Sequence, residues 1–259
     1  MRIKINFYSP TQVSIPINYQ HYLSSAIYNF LEINNKKFAT LLHNGDHIST
    51  SKKFKFFTFS WLQIPKRKII DSKIEILSNE FFWYISSPWE EFLINLLNGL
   101  LKEGSLRIGD KKFEIKQIET MSDFDKLSSF KKIKFKCLSP IVITTKKQID
   151  NRPAKYYYKP DDDKLEISEK IRQNLINKYK TFYNKNPKDE NLIINFDENY
   201  IKSSKAQVLV HYIKNKLDIK IPAIMCPFEA EGSQDLIRFG YECGFGELNS
   251  AGFGMVGRI

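Results

Sequence analysis

The feature that most constrains this chain is its tail, Gly244-Phe245-Gly246-Glu247-Leu248-Asn249-Ser250-Ala251-Gly252-Phe253-Gly254-Met255-Val256, in which two Gly-aromatic-Gly triplets stand five residues apart. Glycine serves where a backbone needs positive φ or very close approach, and it weakens regular structure elsewhere. Four of the eleven glycines in 259 residues fall here. A short helix over Leu236 to Tyr241 leads in, with Ser233 as its N-cap and Asp235 in its first turn. An apolar strand from Phe253 to Ile259 leads out. The loop between them has two readings of equal weight: a tight helix-to-strand connection, or a cradle whose bare backbone amides hold phosphate oxygens. Two familiar nucleotide patterns are excluded, because GxxxxGK[ST] is absent and Asn249 stands where the third glycine of GxGxxG belongs.

The charge balance bears on that choice. Forty Lys and Arg against 29 Asp and Glu give a net charge of +11, which implies an anionic partner such as nucleic acid, with an anionic membrane surface as the rival. The chain has no apolar run of about 18 residues to span a bilayer. Its start, Met1-Arg2-Ile3-Lys4-Ile5, alternates like a strand instead of forming the apolar core of a signal peptide. A cytoplasmic protein with no membrane partner is expected. Cys137, Cys226 and Cys243 form no CxxC pair and read as buried, reduced thiols. The histidines His21, His43, His47 and His211 lack HExxH or paired Cys/His spacing, so neither a metal nor any other cofactor is expected.

The chain carries an internal echo. Ile3-Lys4-Ile5-Asn6-Phe7-Tyr8-Ser9-Pro10 alternates as a half-buried strand and stops at Ser-Pro, and Ile133-Lys134-Phe135-Lys136-Cys137-Leu138-Ser139-Pro140 repeats pattern and punctuation. After the first copy come a helix over Tyr19 to Ile33, a short helical piece near Phe38 to Leu42 and a strand over Phe54 to Ile64. The basic turn Pro65 to Lys68 then leads to a hairpin of Lys73 to Leu77 and Phe81 to Ser86. The next helix has Ser87 as N-cap, Pro88 at N1 and Glu90 at N3, a capping box, and stops at Gly104. Strands over Leu106 to Ile108 and Phe113 to Ile118 follow, and the charged, Ser-rich Thr120 to Ser129 reads as a linker.

The second half repeats the order: a strand, a helix near Leu165 to Tyr183, strands over Leu192 to Phe196, Ala206 to Ile213 and Asp218 to Phe228, then the short helix and last strand. Both halves are β-α-β-β-α-β. The expected fold is α+β: two tandem ferredoxin-like domains, residues 1–122 and 130–259, facing each other across a cleft. The insertion Asn151 to Asp163 mixes Arg152, Lys155 and Lys159 with Tyr156, Tyr157 and Tyr158, a composition suited to stacking bases and neutralising phosphates. A solvated hairpin accounts for it slightly better.

Over nearly its whole length the chain resembles the repeat-processing endoribonucleases of CRISPR systems, within the RAMP superfamily. The resemblance rests on the paired Gly-Phe-Gly tail, on Tyr19 to Leu31 with Ile27-Tyr28-Asn29, and on Ala39-Thr40-Leu41-Leu42-His43 followed by Lys55-Phe56-Phe57-Thr58-Phe59-Ser60. It implies metal-independent cleavage of CRISPR repeat RNA in precursor transcripts. Catalysis would fall to Tyr28, His43 and Lys55. RNA binding would fall to Gly244, Gly246, Asn249, Ser250, Gly252 and Gly254 with Lys52 and Lys53. His47 competes with His43, and Lys52 or Lys53 with Lys55, for the same roles. The residue types suit the reaction: histidine titrates near neutrality, tyrosine is ordinarily a proton donor there, and lysine is a point cation for a charged phosphorane-like transition state. On a helical wheel Tyr28 falls off the stripe of Leu23, Ala26, Ile27 and Phe30, as a working side chain would. The resemblance also admits a non-catalytic RAMP subunit that only binds guide RNA, with effector-complex proteins or a second copy as further partners.

Overall fold

The computed structural model describes residues 1–10, 12–44, 54–121, 132–149, 152–203, 205–214 and 217–259. The first half runs β1 (Arg2–Tyr8), β2 (Val13–Pro16), α1 (Gln20–Asn34), α2 (Lys36–Asn44), β3 (Thr58–Phe59), β4 (Arg67–Ile70), β5 (Lys73–Ile76), β6 (Glu80–Ser86), α3 (Glu90–Glu103), β7 (Ser105–Ile108) and β8 (Lys111–Met121). The second runs β9 (Lys132–Cys137), β10 (Thr144–Ile149), β11 (Arg152–Tyr157), α4 (Lys164–Tyr183), β12 (Leu192–Phe196), α5 (Glu198–Lys202), β13 (Gln207–Lys214), β14 (Leu217–Ile224), β15 (Phe228–Gly232), α6 (Gln234–Cys243) and β16 (Val256–Arg258).

Two sheets carry the architecture. One has the order β3-β6-β1-β8-β7 and the other β12-β15-β9-β16. Counting core strands along each half, both read second-third-first-fourth, the ferredoxin-like order. β1 and β9 therefore occupy the same central position, and each ends at a buried serine before proline, Ser9 and Ser139. Alternation drives this. Ile3, Ile5 and Phe7 pair with Ile85, Trp83 and Phe81 on one face, and all six are fully buried under Leu23 and Ile27 of α1 and Phe92, Leu96 and Leu100 of α3. In the second sheet Ile133, Phe135, Ile194, Phe228 and Ala230 meet Ile167, Ile171 and Leu175 of α4 and Leu236 and Ile237 of α6.

Several local expectations change. Residues 73–77 and 81–86 form no hairpin: β5 pairs with β2 and β4, and β6 with β1 and β3. Arg67 and Lys68, read as a turn, begin a strand. Of the strand expected over 54–64, Thr58–Phe59 and a bridge at Gln63 are regular, because this segment turns between the two halves. The stretch 218–228 is split, with β13 and β14 forming a separate hairpin and β15 supplying the third core strand. The capping box at Ser87 does not form either. Its hydroxyl accepts the Trp89 N–H at 3.0 Å and donates to the Phe56 carbonyl at 2.7 Å, so α3 starts at Glu90. Gly104 ends α3 as expected, in the left-handed region at φ 66°. Ser233 caps α6, accepting the Leu236 N–H at 3.4 Å. The linker lies outside the described residues from 122 to 131.

Candidate active site

The three residues singled out for catalysis come together in space. Tyr28 projects from the middle of α1, half-buried against the edge of the first core. The Lys55 Nζ donates to its hydroxyl oxygen at 2.6 Å and lies 4.7 Å from its ring centre. His43, exposed in the last turn of α2, sets its ring edge-on to Tyr28 at 5.8 Å between centres. Burial pushes the Lys55 ammonium below the usual lysine range. The expected competitors His47, Lys52 and Lys53 lie outside the described residues.

Lys55 sits in a short segment that spans both halves. Phe56 is buried in the second core while Phe57 and Phe59 are buried in the first. Adjacent residues reach opposite cores because Phe56 takes positive φ, 47°, a conformation a bulky side chain rarely adopts. Lys55 then faces the cleft between the halves, a cavity of about 890 Å³ whose walls include Lys146, Lys155, Lys170, Asn174, Asn177, Asn249 and Ser250. Cations from β10, β11 and α4 thus join the first half's lysine around one space, which suits an anionic ligand.

Three of the four loop glycines use their amides within the protein. Gly244, Gly246, Gly252 and Gly254 are all buried and all have positive φ. The Gly244 N–H donates to Gly240, Gly252 to Asn249 and Gly254 to Pro140, at 2.8, 3.0 and 2.7 Å. A Cβ on Gly252 would stand 2.6 Å from the Phe59 ring, and one on Gly254 would collide with the Phe245 carbonyl. The tight-connection reading accounts for the amides of Gly244, Gly252 and Gly254, each of which has a partner inside the protein. Asn249 is likewise engaged internally: its Nδ2 donates to the Phe245 and Phe253 carbonyls at 3.2 and 3.0 Å, and its Oδ1 accepts from Lys178 at 2.6 Å. Ser250 lines the cavity, and its carbonyl accepts from the Ser24 hydroxyl at 3.1 Å.

The tyrosines of the insertion are also spoken for. Tyr158 is buried and its hydroxyl donates to Glu166, while Tyr156 donates to both oxygens of Asp162 at 2.9 Å. Lys147 lies over the Tyr156 ring at 4.2 Å and Lys155 over Tyr157 at 5.0 Å. The expected hairpin is β10–β11, with a lysine over one face of the Tyr156 ring and another over one face of the Tyr157 ring. Lys178 went unnoticed in the sequence, yet it stands in the apolar series Ile167, Ile171, Leu175, and a lysine on a core face is a visible anomaly. The thiols are free, with Cys226 and Cys243 buried and Cys137 half-buried. Among the described residues no group of three or more His, Cys, Asp or Glu converges, and no helix is long and apolar enough to cross a membrane.

Paired ferredoxin-like sheets, with a glycine loop closing the second half against the first, are the frame of the RAMP proteins. The family described as CRISPR associated protein Cas6, C-terminal, matches residues 122–257, and its N-terminal counterpart matches 14–119. The CRISPR-associated endoribonuclease Cas6 1 of Methanocaldococcus jannaschii is 38% identical over 256 residues, covering 99% of this chain and 92% of that relative. A solved structure described as CRISPR associated protein Cas6 superposes with a TM-score of 0.77 at 36% identity, covering 100% of this chain and 99% of its own. Another, described as an RAMP protein binding different RNA substrates, gives 0.80 at 28% identity, covering 100% and 99%. The chain belongs to the Cas6 family.

Proposed function

We propose that the protein is an endoribonuclease that cuts CRISPR repeat RNA in precursor transcripts, without a metal ion, in the cytoplasm. The observation that carries this reading is the contact of the Lys55 ammonium with the Tyr28 hydroxyl at 2.6 Å beside the His43 ring, at the edge of a lysine-lined cleft. A protein that only holds RNA needs cations. It does not need a phenol held against one of them with a histidine ring beside that phenol. Residues 1–122 and 130–259 act as the two walls between which the RNA lies.

The reaction follows from these groups. The ribose 2′-oxygen attacks the adjacent phosphorus and gives up its proton to a base; the P–O5′ bond breaks and the leaving oxygen receives a proton from an acid. Atoms balance in a 2′,3′-cyclic phosphate and a 5′-hydroxyl. His43 and Tyr28 share the acid and base roles. Lys55 supplies positive charge to the phosphorane-like transition state.

The test is incubation with repeat RNA in excess EDTA, followed by analysis of product ends. A cyclic phosphate and a 5′-hydroxyl are expected; RNA bound but left intact would favour the non-catalytic RAMP subunit instead. A substrate with sulfur at the bridging 5′ position then assigns the acid, since sulfur leaves without a proton. Whichever of Tyr28→Phe and His43→Ala regains speed on that substrate has lost the acid.

A further inference from the structure

Lys178 is buried on the core face of α4, where an apolar residue would serve. Its Nζ donates to the Gly244 carbonyl at 3.0 Å, the Gly246 carbonyl at 2.6 Å and Asn249 Oδ1 at 2.6 Å. All three acceptors are neutral, and the nearby Glu247 carboxylate only partly offsets the lost hydration of the ammonium. Accordingly burial holds it below the usual lysine range. A cation kept there at such a cost needs a task. The loop it grips is tied in turn to two of the three first-half segments that carry the catalytic group, those of Tyr28 and Lys55. Ser24 Oγ donates to the Ser250 carbonyl at 3.1 Å, one turn before Tyr28 on the same face of α1. Thr58 Oγ1 donates to the Phe253 carbonyl at 3.0 Å, three residues after Lys55.

We propose that Lys178 is a positioning residue for cleavage: by gripping the glycine loop from below, it sets the distance between Tyr28 and Lys55 through the Ser24 and Thr58 ties. This rests on the endoribonuclease reading of the same site. It also gives the inward-turned carbonyls of Gly244 and Gly246 a purpose, since positive φ at both glycines aims those oxygens at one ammonium. The loop acts as a strut across the cleft, and Lys178 is its pin.

The experiment uses the full chain and a CRISPR repeat RNA under single-turnover conditions, with a 2′-deoxy analogue at the scissile position for affinity. Lys178→Met should slow cleavage about tenfold or more while affinity stays within about threefold. Ser24→Ala alone should slow it by a smaller factor, and in the Lys178→Met background it should add nothing, because the tie no longer transmits. Independent, multiplicative losses, or a loss confined to affinity, would overturn the proposal. If Lys178→Met does not fold, Ser24→Ala and Thr58→Val decide the matter, and unchanged rates in both overturn it. Hydrogen exchange supplies a readout apart from activity: α1 and residues 54–59 should exchange faster in Lys178→Met. If the wild-type protein makes no cut, the endoribonuclease reading fails, and unaltered exchange would then sink the positioning role separately.

Discussion

The two halves share a strand order and differ in where they spend their irregular chain. In the first half it lies between α1 and β3, where α2 and the following segment bring His43 and Lys55 to Tyr28. In the second it lies between α6 and β16, where the buried glycines pack. The corresponding turn of the first half, after α3, is Gly104, around which an added Cβ would meet nothing within 4 Å. One half thus turns the residues proposed for catalysis toward the cleft, and the other buries its glycines against neighbouring rings and carbonyls. Positive φ is common to both glycine turns, so it does not distinguish them; crowding does.

The largest effect expected from this contrast is in the second half. Gly254→Ala drives a Cβ into the Phe245 carbonyl at positive φ and should leave little folded protein by circular dichroism, a loss above about 4 kcal/mol. A Gly254→Ala variant that folds but loses RNA affinity would restore the cradle reading. Next, His43→Ala should lower the cleavage rate by about 10² to 10⁴-fold with the melting temperature unchanged, since His43 is exposed. A melting shift without a rate loss would place His43 with the scaffold.

A smaller effect concerns pH. Burial lowers the Lys55 value from the ordinary 10.5, so the ammonium is lost earlier as pH rises and the rate should fall on an alkaline limb below that of an exposed lysine. Lys55→Arg, charged throughout because the guanidinium titrates above about 12, should remove that limb whatever it does to the maximal rate; a limb unmoved in the variant would assign it elsewhere. Smallest of all, Gly104→Ala should cost about 1 to 2 kcal/mol from left-handed backbone alone, read from denaturant midpoints, with cleavage intact.

Much of this was legible in the residues. The echo between residues 3–10 and 133–140 fell on the two central strands because alternation and Ser-Pro punctuation are local signals. Tyr28, off the apolar stripe of its helix, is half-buried at the edge of the core and not inside it. What the sequence did not disclose depends on partners far along the chain. Residues 73–76 and 80–86 have strand character in either pairing, and sheet membership is settled by tertiary packing. The glycine loop hid its use because a free amide and one bonded to Pro140 look alike in sequence. Lys178 was marked by its place in an apolar series, but its acceptors lie 66 to 71 residues away.

The reversal of direction at Phe56 has a mechanical meaning. This ring is locked in one domain's interior while its neighbour Phe57 is locked in the other's, and Trp61 N–H bonds across to the Leu138 carbonyl at 2.9 Å. Widening the gap would pull an aromatic side chain into water, at about 1.5 to 3 kcal/mol, and break such ties besides. The spacing of the two halves is therefore held by rings buried in both cores and by hydrogen bonds between them.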